Sequence, residues 1–111
     1  MQASKHDMST IVKPVNLLVD TEYELAAQLH GAVFASPHEG FGVIAEEAME
    51  VQNENAKITG GCQTLLAFVQ QEDMQKVMDT ADAIRDAAVN AAAELIQVAA
   101  MCEKMVRTVM G

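Results

Sequence analysis

The chain is poor in aromatic residues: it has no Trp, one Tyr and three Phe in 111 residues, although half of it is apolar. Ala and Met carry the apolar content instead. That composition argues against a β-sandwich, whose strands draw on aromatic and β-branched side chains, and for close packing of helices. Basic residues are also scarce. Seven Lys and Arg stand against 16 Asp and Glu, a formal net charge of −9, which makes a nucleic-acid polymer a poor partner. An acidic cluster can instead hold hard cations and, through them, a phosphate-bearing substrate. Only Cys62 and Cys102 are present, with no metal-ligand spacing. A disulfide stays open; two buried thiols in a reducing compartment is the plainer reading. No apolar run is long enough to span a bilayer and no secretory signal is evident, so a cytoplasmic chain with no membrane partner is expected. Gly-x-Ser-x-Gly, P-loop and His-Glu-x-x-His patterns are missing, as are tandem repeats.

What is present is organised around the stretch from Thr80 to Met110, which contains neither Gly nor Pro. Asp82, Asp86, Asn90, Glu94 and Gln97 step by helical spacing along one line, and nearly everything else from Ala81 to Met101 is apolar. A surface helix would show a broad polar face. This one is expected to be covered on most sides, with its polar line facing a partner, because a buried acid is costly unless paired, protonated or bound to a cation.

The length suits one domain with a modest core. Residues 1–19 read as an N-terminal arm, and residues 20–111 as a single helical domain. Asp20-Thr21-Glu22 predicts a helix start, Leu25, Ala26 and Leu29 share a face, and Gly31 ends the helix. Ser36-Pro37-His38-Glu39 opens a second helix with a cap, a Pro at the first helical position and a capping box. Phe41, Ile44, Ala45, Ala48 and Val51 are expected on its apolar face, with Glu39, Glu46, Glu47, Glu50 and Glu54 opposite. Gly40 and Gly42 suggest a close backbone approach. Thr59-Gly60-Gly61 is the clearest break, with Cys62 to Val69 a bent continuation. After a turn at Gln70 to Asp73, helix resumes to Met110, or restarts at Asp79-Thr80. Unbroken, it would be roughly 55 Å long, more than a domain of this size is wide, and would want a partner chain beside it.

Two segments can carry chemistry. In Glu46-Glu47-Ala48-Met49-Glu50, Glu47 and Glu50 project from one side of a helix, with Glu46 beside them. Their repulsion would be relieved by a divalent cation, and carboxylates suit Mg²⁺, although such a run is commonly just a solvated face. In Glu94-Leu95-Ile96-Gln97 the acid is surrounded by apolar residues; its bland reading is a satisfied polar group inside a bundle. Facing each other, the two segments would make a carboxylate box. No Glu-x-x-His pair points to a di-iron site. The lone histidines His6, His30 and His38 are usually structural in such settings. Among the few bases, Lys57, Arg85, Lys104 and Arg107 are the candidates for phosphate.

The run Ser36-Pro37-His38-Glu39-Gly40-Phe41-Gly42-Val43-Ile44-Ala45-Glu46-Glu47-Ala48-Met49-Glu50 resembles the second helix of MazG-like proteins, especially small phage and bacterial members. The run Ala93-Glu94-Leu95-Ile96-Gln97-Val98-Ala99-Ala100-Met101-Cys102-Glu103-Lys104 resembles their later helix. The resemblance extends over roughly Asp20 to Arg107. It implies an all-α helical bundle completed by dimerisation or tetramerisation, and Mg²⁺-dependent cleavage of a nucleoside triphosphate between its α- and β-phosphates, Mn²⁺ being a possible substitute. By that resemblance Glu47, Glu50 and Glu94 are metal ligands, and Gln97 stands where the family usually has Asp. Gln can ligate through its carbonyl oxygen but adds no charge. Glu46 and Glu47 are the catalytic candidates, and His38, Asn90, Lys57 and Lys104 the substrate-binding ones. The segment between the two motifs is longer than in typical members. The competing reading is a helical assembly or binding module that keeps the scaffold without the chemistry, and Gln97 is the feature that favours it.

Overall fold

In the computed structural model, which describes residues 8–111, the chain forms three helices and no strand among those residues. They are α1 (Ser9–His30), α2 (Pro37–Gln70) and α3 (Met74–Met110). Met1 to Asp7, including His6, lie outside the described residues.

The start of α2 follows from its sequence. Ser36 is extended, its Oγ accepts the Glu39 N–H at 3.2 Å, and Pro37 opens the helix. The Glu39 carboxylate reaches one residue further back than a regular capping box and accepts the Ala35 N–H at 3.3 Å. The end of α1 at His30 also falls where Gly31 adopts positive φ. Between α2 and α3 the Asp73 N–H returns to the Phe68 carbonyl and the Glu72 N–H to the Val69 carbonyl, both at 3.1 Å. This is a Schellman turn with Glu72, at φ 57°, in the place that usually belongs to Gly. Asp73 then caps α3 by accepting the Lys76 N–H at 3.2 Å.

The structure departs from the sequence expectations in four places. Helix α1 begins at Ser9 rather than Thr21, inside the segment read as an arm. It has no side-chain cap at that end, so no residue announces the start. Thr21 lies mid-helix, its hydroxyl donating to the Leu17 carbonyl at 2.9 Å. Second, Gly60 and Gly61 do not break α2, and Asp79-Thr80 does not restart α3. Third, Cys62 and Cys102 are free and exposed, not buried. Fourth, α3 is not covered on most sides within one chain: Val89, Leu95, Val106 and Val109 are exposed, as are Asp82, Asp86, Asn90 and Gln97.

The α2–α3 pair explains these faces. On α2 the inward line is Gly40, Ile44, Glu47, Val51, Glu54, Ile58, Gly61, Leu65 and Phe68; on α3 it is Val77, Thr80, Ile84, Ala87, Ala91, Glu94, Val98, Met101, Met105 and Thr108. All are buried or half-buried. Both lines alternate steps of three and four, the heptad spacing of a coiled-coil seam. The apolar face expected for α2 is therefore right in part: Ile44 and Val51 lie on the inward line, but Phe41 is 70 % exposed, Ala48 is exposed, and Glu47 and Glu54 turn inward. Two contacts fix the antiparallel register. A Cβ on Gly61 would sit 2.6 Å from Ile84 Cγ1, and one on Gly40 would sit 2.7 Å from Met105 Cε and 2.8 Å from Phe34 Cδ2. Helix α1 lies against α3 alone. Tyr23, 3 % exposed, donates its hydroxyl to the Ala32 carbonyl at 2.8 Å, and the Arg107 guanidinium stacks 4.4 Å from its ring. Phe34 donates its N–H to Thr108 Oγ1 at 2.8 Å and lies 4.6 Å beneath the Lys104 ammonium.

The glycines separate into two kinds. Gly42 and Gly60 have nothing within 4 Å of an added Cβ. Gly60→Ala should raise stability by about 0.5–1 kcal/mol by stiffening the unfolded chain. Gly40→Ala should lower it by about 1 kcal/mol, because packed Phe34 must move. Glu72→Gly should relieve a left-handed residue and stabilise by about 1 kcal/mol. Urea unfolding of the three variants checks the signs; a gain for Gly40→Ala equal to that for Gly60→Ala would contradict the seam.

Candidate metal centre

Three carboxylates meet where the two seams carry their acids. Glu47 lies on the α2 seam and Glu94 on the facing α3 seam. Glu50, one turn after Glu47, reaches in from the flank. One oxygen of each lies within 4.8 Å of one oxygen of both others. Glu47 and Glu94 are half-buried and Glu50 is exposed, so the centre is open to solvent on the Glu50 side.

Its electrostatics are those of acids forced together. Burial raises the Glu47 pKa above the ordinary 4.5, and the charges of Glu50, Glu46 and Glu22 add to that, while a hydrogen bond with Glu94 opposes it. The Glu50 pKa is raised chiefly because its carboxyl shares a hydrogen bond with Glu94, then by the negative charge of Glu94 itself. The second oxygens of Glu47 and Glu94 are buried and have no hydrogen-bond partner. Three hard oxygen donors, two of them with unsatisfied buried oxygens, fit a divalent cation of the Mg²⁺ type.

The remaining sequence candidates fall at different distances from this centre. Glu46 is exposed and outside the triad, close enough for its charge to act on Glu47 and Glu50. Gln97 is exposed on α3, three residues after Glu94. Asn90 is exposed one turn before Glu94. Lys57 is held by Glu54 at 3.1 Å. Lys104 is 5 % exposed and committed to the Phe34 ring, and His38 is exposed in the first turn of α2; neither is brought to the triad. Of the other bases, Arg85 lies 3.8 Å from exposed Asp86, and Arg107 is paired with Glu103.

Two acids were not singled out as ligands or neighbours of the centre. Glu54 follows Glu47 by one heptad on the seam, and its second oxygen is also buried without a partner. That spacing was the available signal. Glu22 of α1 acts on Glu47 across the fold, and no local pattern marks it. No family model, curated protein or solved structure matches this chain.

Acids with raised folded pKa values stabilise the metal-free fold below their ordinary value of 4.5, and that contribution is lost as pH rises through the raised values. The metal-free protein should therefore gain stability from Glu47 and Glu50 as pH falls from 7 toward 5. At pH 7, Mn²⁺ at 100 times its Kd should restore about 2.7 kcal/mol. Glu47→Gln should remove the Glu47 share of the pH dependence and the Mn²⁺ response, leaving the share of Glu50, which Glu94 causes. Thermal unfolding against pH and Mn²⁺ checks this; an unchanged Mn²⁺ response in Glu47→Gln would exclude the triad as the site.

Proposed function

We propose that the chain is a MazG-like, Mg²⁺-dependent nucleoside triphosphate pyrophosphohydrolase. The observation that carries this reading is the convergence of Glu47, Glu50 and Glu94, from the two segments whose sequences resemble that family, on one cation-sized centre. In this reading the three carboxylates hold the ion. Once bound, Mg²⁺ supplies neutralisation of the phosphate oxygens, an activated water and stabilisation of the leaving pyrophosphate. Glu46, close by and solvent-exposed, accepts the proton of the attacking water. The open Glu50 side admits the triphosphate.

Self-association belongs to the same proposal. The radius of gyration is 18.0 Å, against about 13 Å for a compact domain of similar length. Ile11, Val15, Leu18, Leu25 and Leu29 all lie exposed on one heptad line of α1. A second copy covers this line in a dimer or tetramer. Among the described residues, no helix is long and apolar enough to cross a membrane.

The second reading, a helical assembly without chemistry, is favoured by exposed Gln97, which leaves the centre one carboxylate short of the family pattern. Pyrophosphate release from a panel of NTPs and dNTPs with Mg²⁺ separates the two. Turnover that falls to background in Glu47→Ala and in Glu50→Ala is expected. No turnover at high enzyme concentration, with the protein folded and Mg²⁺ present, would favour the assembly. Sedimentation velocity should show a dimer or tetramer; a monomer at micromolar concentration would remove the self-association.

A further inference from the structure

We propose that the acid-free back of the α2–α3 hairpin is an interface between copies of this chain, separate from the apolar line of α1. It extends the self-association described above and does not use the nucleotide reading. The residue after every second seam position marks the face. On α3 these residues are Ala81, Ala88, Leu95, Cys102 and Val109, at strict heptad spacing. On α2 they are Phe41, Ala48, Cys62 and Val69, with Asn55 between. All are exposed. In an antiparallel pair the two rows adjoin on one flank. The register set by Gly61 against Ile84 and Gly40 against Met105 brings Ala48 level with Leu95 and Phe41 level with Cys102.

The next row outward has the same character: Met78, Ala92, Ala99 and Val106 of α3 and Leu66 of α2 are exposed. Gln52, Asn55 and Thr59 interrupt the face without charge, and Arg85 is the one charged residue in these rows between Phe41 and Val109. None of the acids of α2 or α3 falls in them. Helix α1 does not cover this side. It packs on the opposite side of α3, where Ala100 is fully buried and Arg107 meets Tyr23. Glu50 also lies on the other flank, so pairing here leaves the carboxylate centre open.

Charge, area and shape point to a second copy as the occupant. The chain carries a net charge of −9, so two copies repel wherever their acids face each other; this face lets them meet without that repulsion. It is roughly 40 Å long and 20 Å wide, about 800 Å² per copy, the share each partner gives to a stable interface. A two-fold axis along the hairpin sets α2 of one copy over α3 of the other at the same level. Leu95 then meets Ala48 of the partner subunit, and Phe41 meets Cys102 of the partner subunit, a large side chain against a small one each time. Cys62 and Cys102, expected inside from the sequence yet exposed in a single chain, are both covered by this pairing.

Sedimentation velocity of the full chain tests this, with circular dichroism checking that each variant keeps its helices. Two separate interfaces predict four chains for the native protein. Ala88→Glu, near the middle of the face, should leave two, Leu18→Glu on α1 should also leave two, and the double variant one. Leu95→Glu repeats the first test should Ala88→Glu lose helix. Cys62 and Cys102 should react with a thiol reagent roughly 10-fold more slowly in the native chain than in Ala88→Glu. A native mass unchanged by Ala88→Glu and by Leu95→Glu, or thiols equally fast in the native chain and the variant, would overturn the proposal. So would a native monomer, which would leave the face to a different protein. A native dimer dissociated by Ala88→Glu and not by Leu18→Glu would keep this face and remove the α1 interface; the reverse pattern would overturn this face alone.

Discussion

Three carboxylates held within 4.8 Å of one another are the constraint on which this structure turns. Helices joined by a short turn would ordinarily fill their seam with apolar side chains, and a seam Glu forfeits hydrophobic burial as well as bringing charge. Here Glu47, Glu54 and Glu94 occupy seam positions, and each has a buried oxygen without a partner. Burial and mutual repulsion raise the pKa values of Glu47 and Glu50, which makes a proton easier to hold there than on a free acid. A divalent cation would relieve that repulsion at the triad, where Glu47 and Glu94 lie; Glu54, one heptad along, is outside its reach. The metal reading thus accounts for a cost that a purely structural hairpin leaves unexplained.

The rest of the hairpin supports that placement. Gly40 and Gly61 let α2 approach α3 on either side of the acids, against Met105 and Ile84 respectively. Ala87 and Ala91 keep the seam narrow just before Glu94, and Phe34, capped by Lys104, closes the end where α1 joins. Helix α1 adds the negative charge of Glu22 from the side. Much of the apolar surface of all three helices stays exposed in a single chain, which is the physical argument for a second copy rather than for a looser fold.

Helix identity was legible in the sequence where local chemistry marks it. Ser36 and Pro37 announce α2, Gly31 ends α1, and Asp73 caps α3. That Glu47 and Glu50 share one side of α2 was legible from their spacing, while their meeting with Glu94 was raised only as a conditional pairing of the two segments and by the family resemblance. The packing face of α2 was legible only in part. A seam that contains two Gly and two Glu carries little hydrophobic signal, so the brighter line through Phe41 and Ala48 drew the assignment about a quarter of a turn away. Gly60-Gly61 read as a break because propensity opposes Gly in a helix; the tertiary contact with Ile84 outweighs it. The start of α1 carries no cap, and Glu72 does a job usually left to Gly, so neither could be read locally. Gln97 matched a ligand position by resemblance alone, and its side chain is exposed.

The central claim is that a single divalent cation bridges the two helices through Glu47, Glu50 and Glu94. Anomalous diffraction from Mn²⁺-soaked crystals tests it most directly. The account expects one strong peak with an oxygen of each of the three carboxylates at about 2.1 Å, a distance suited to small hard cations. A peak elsewhere on the acidic surface with the triad empty, or no peak at saturating Mn²⁺, would contradict it.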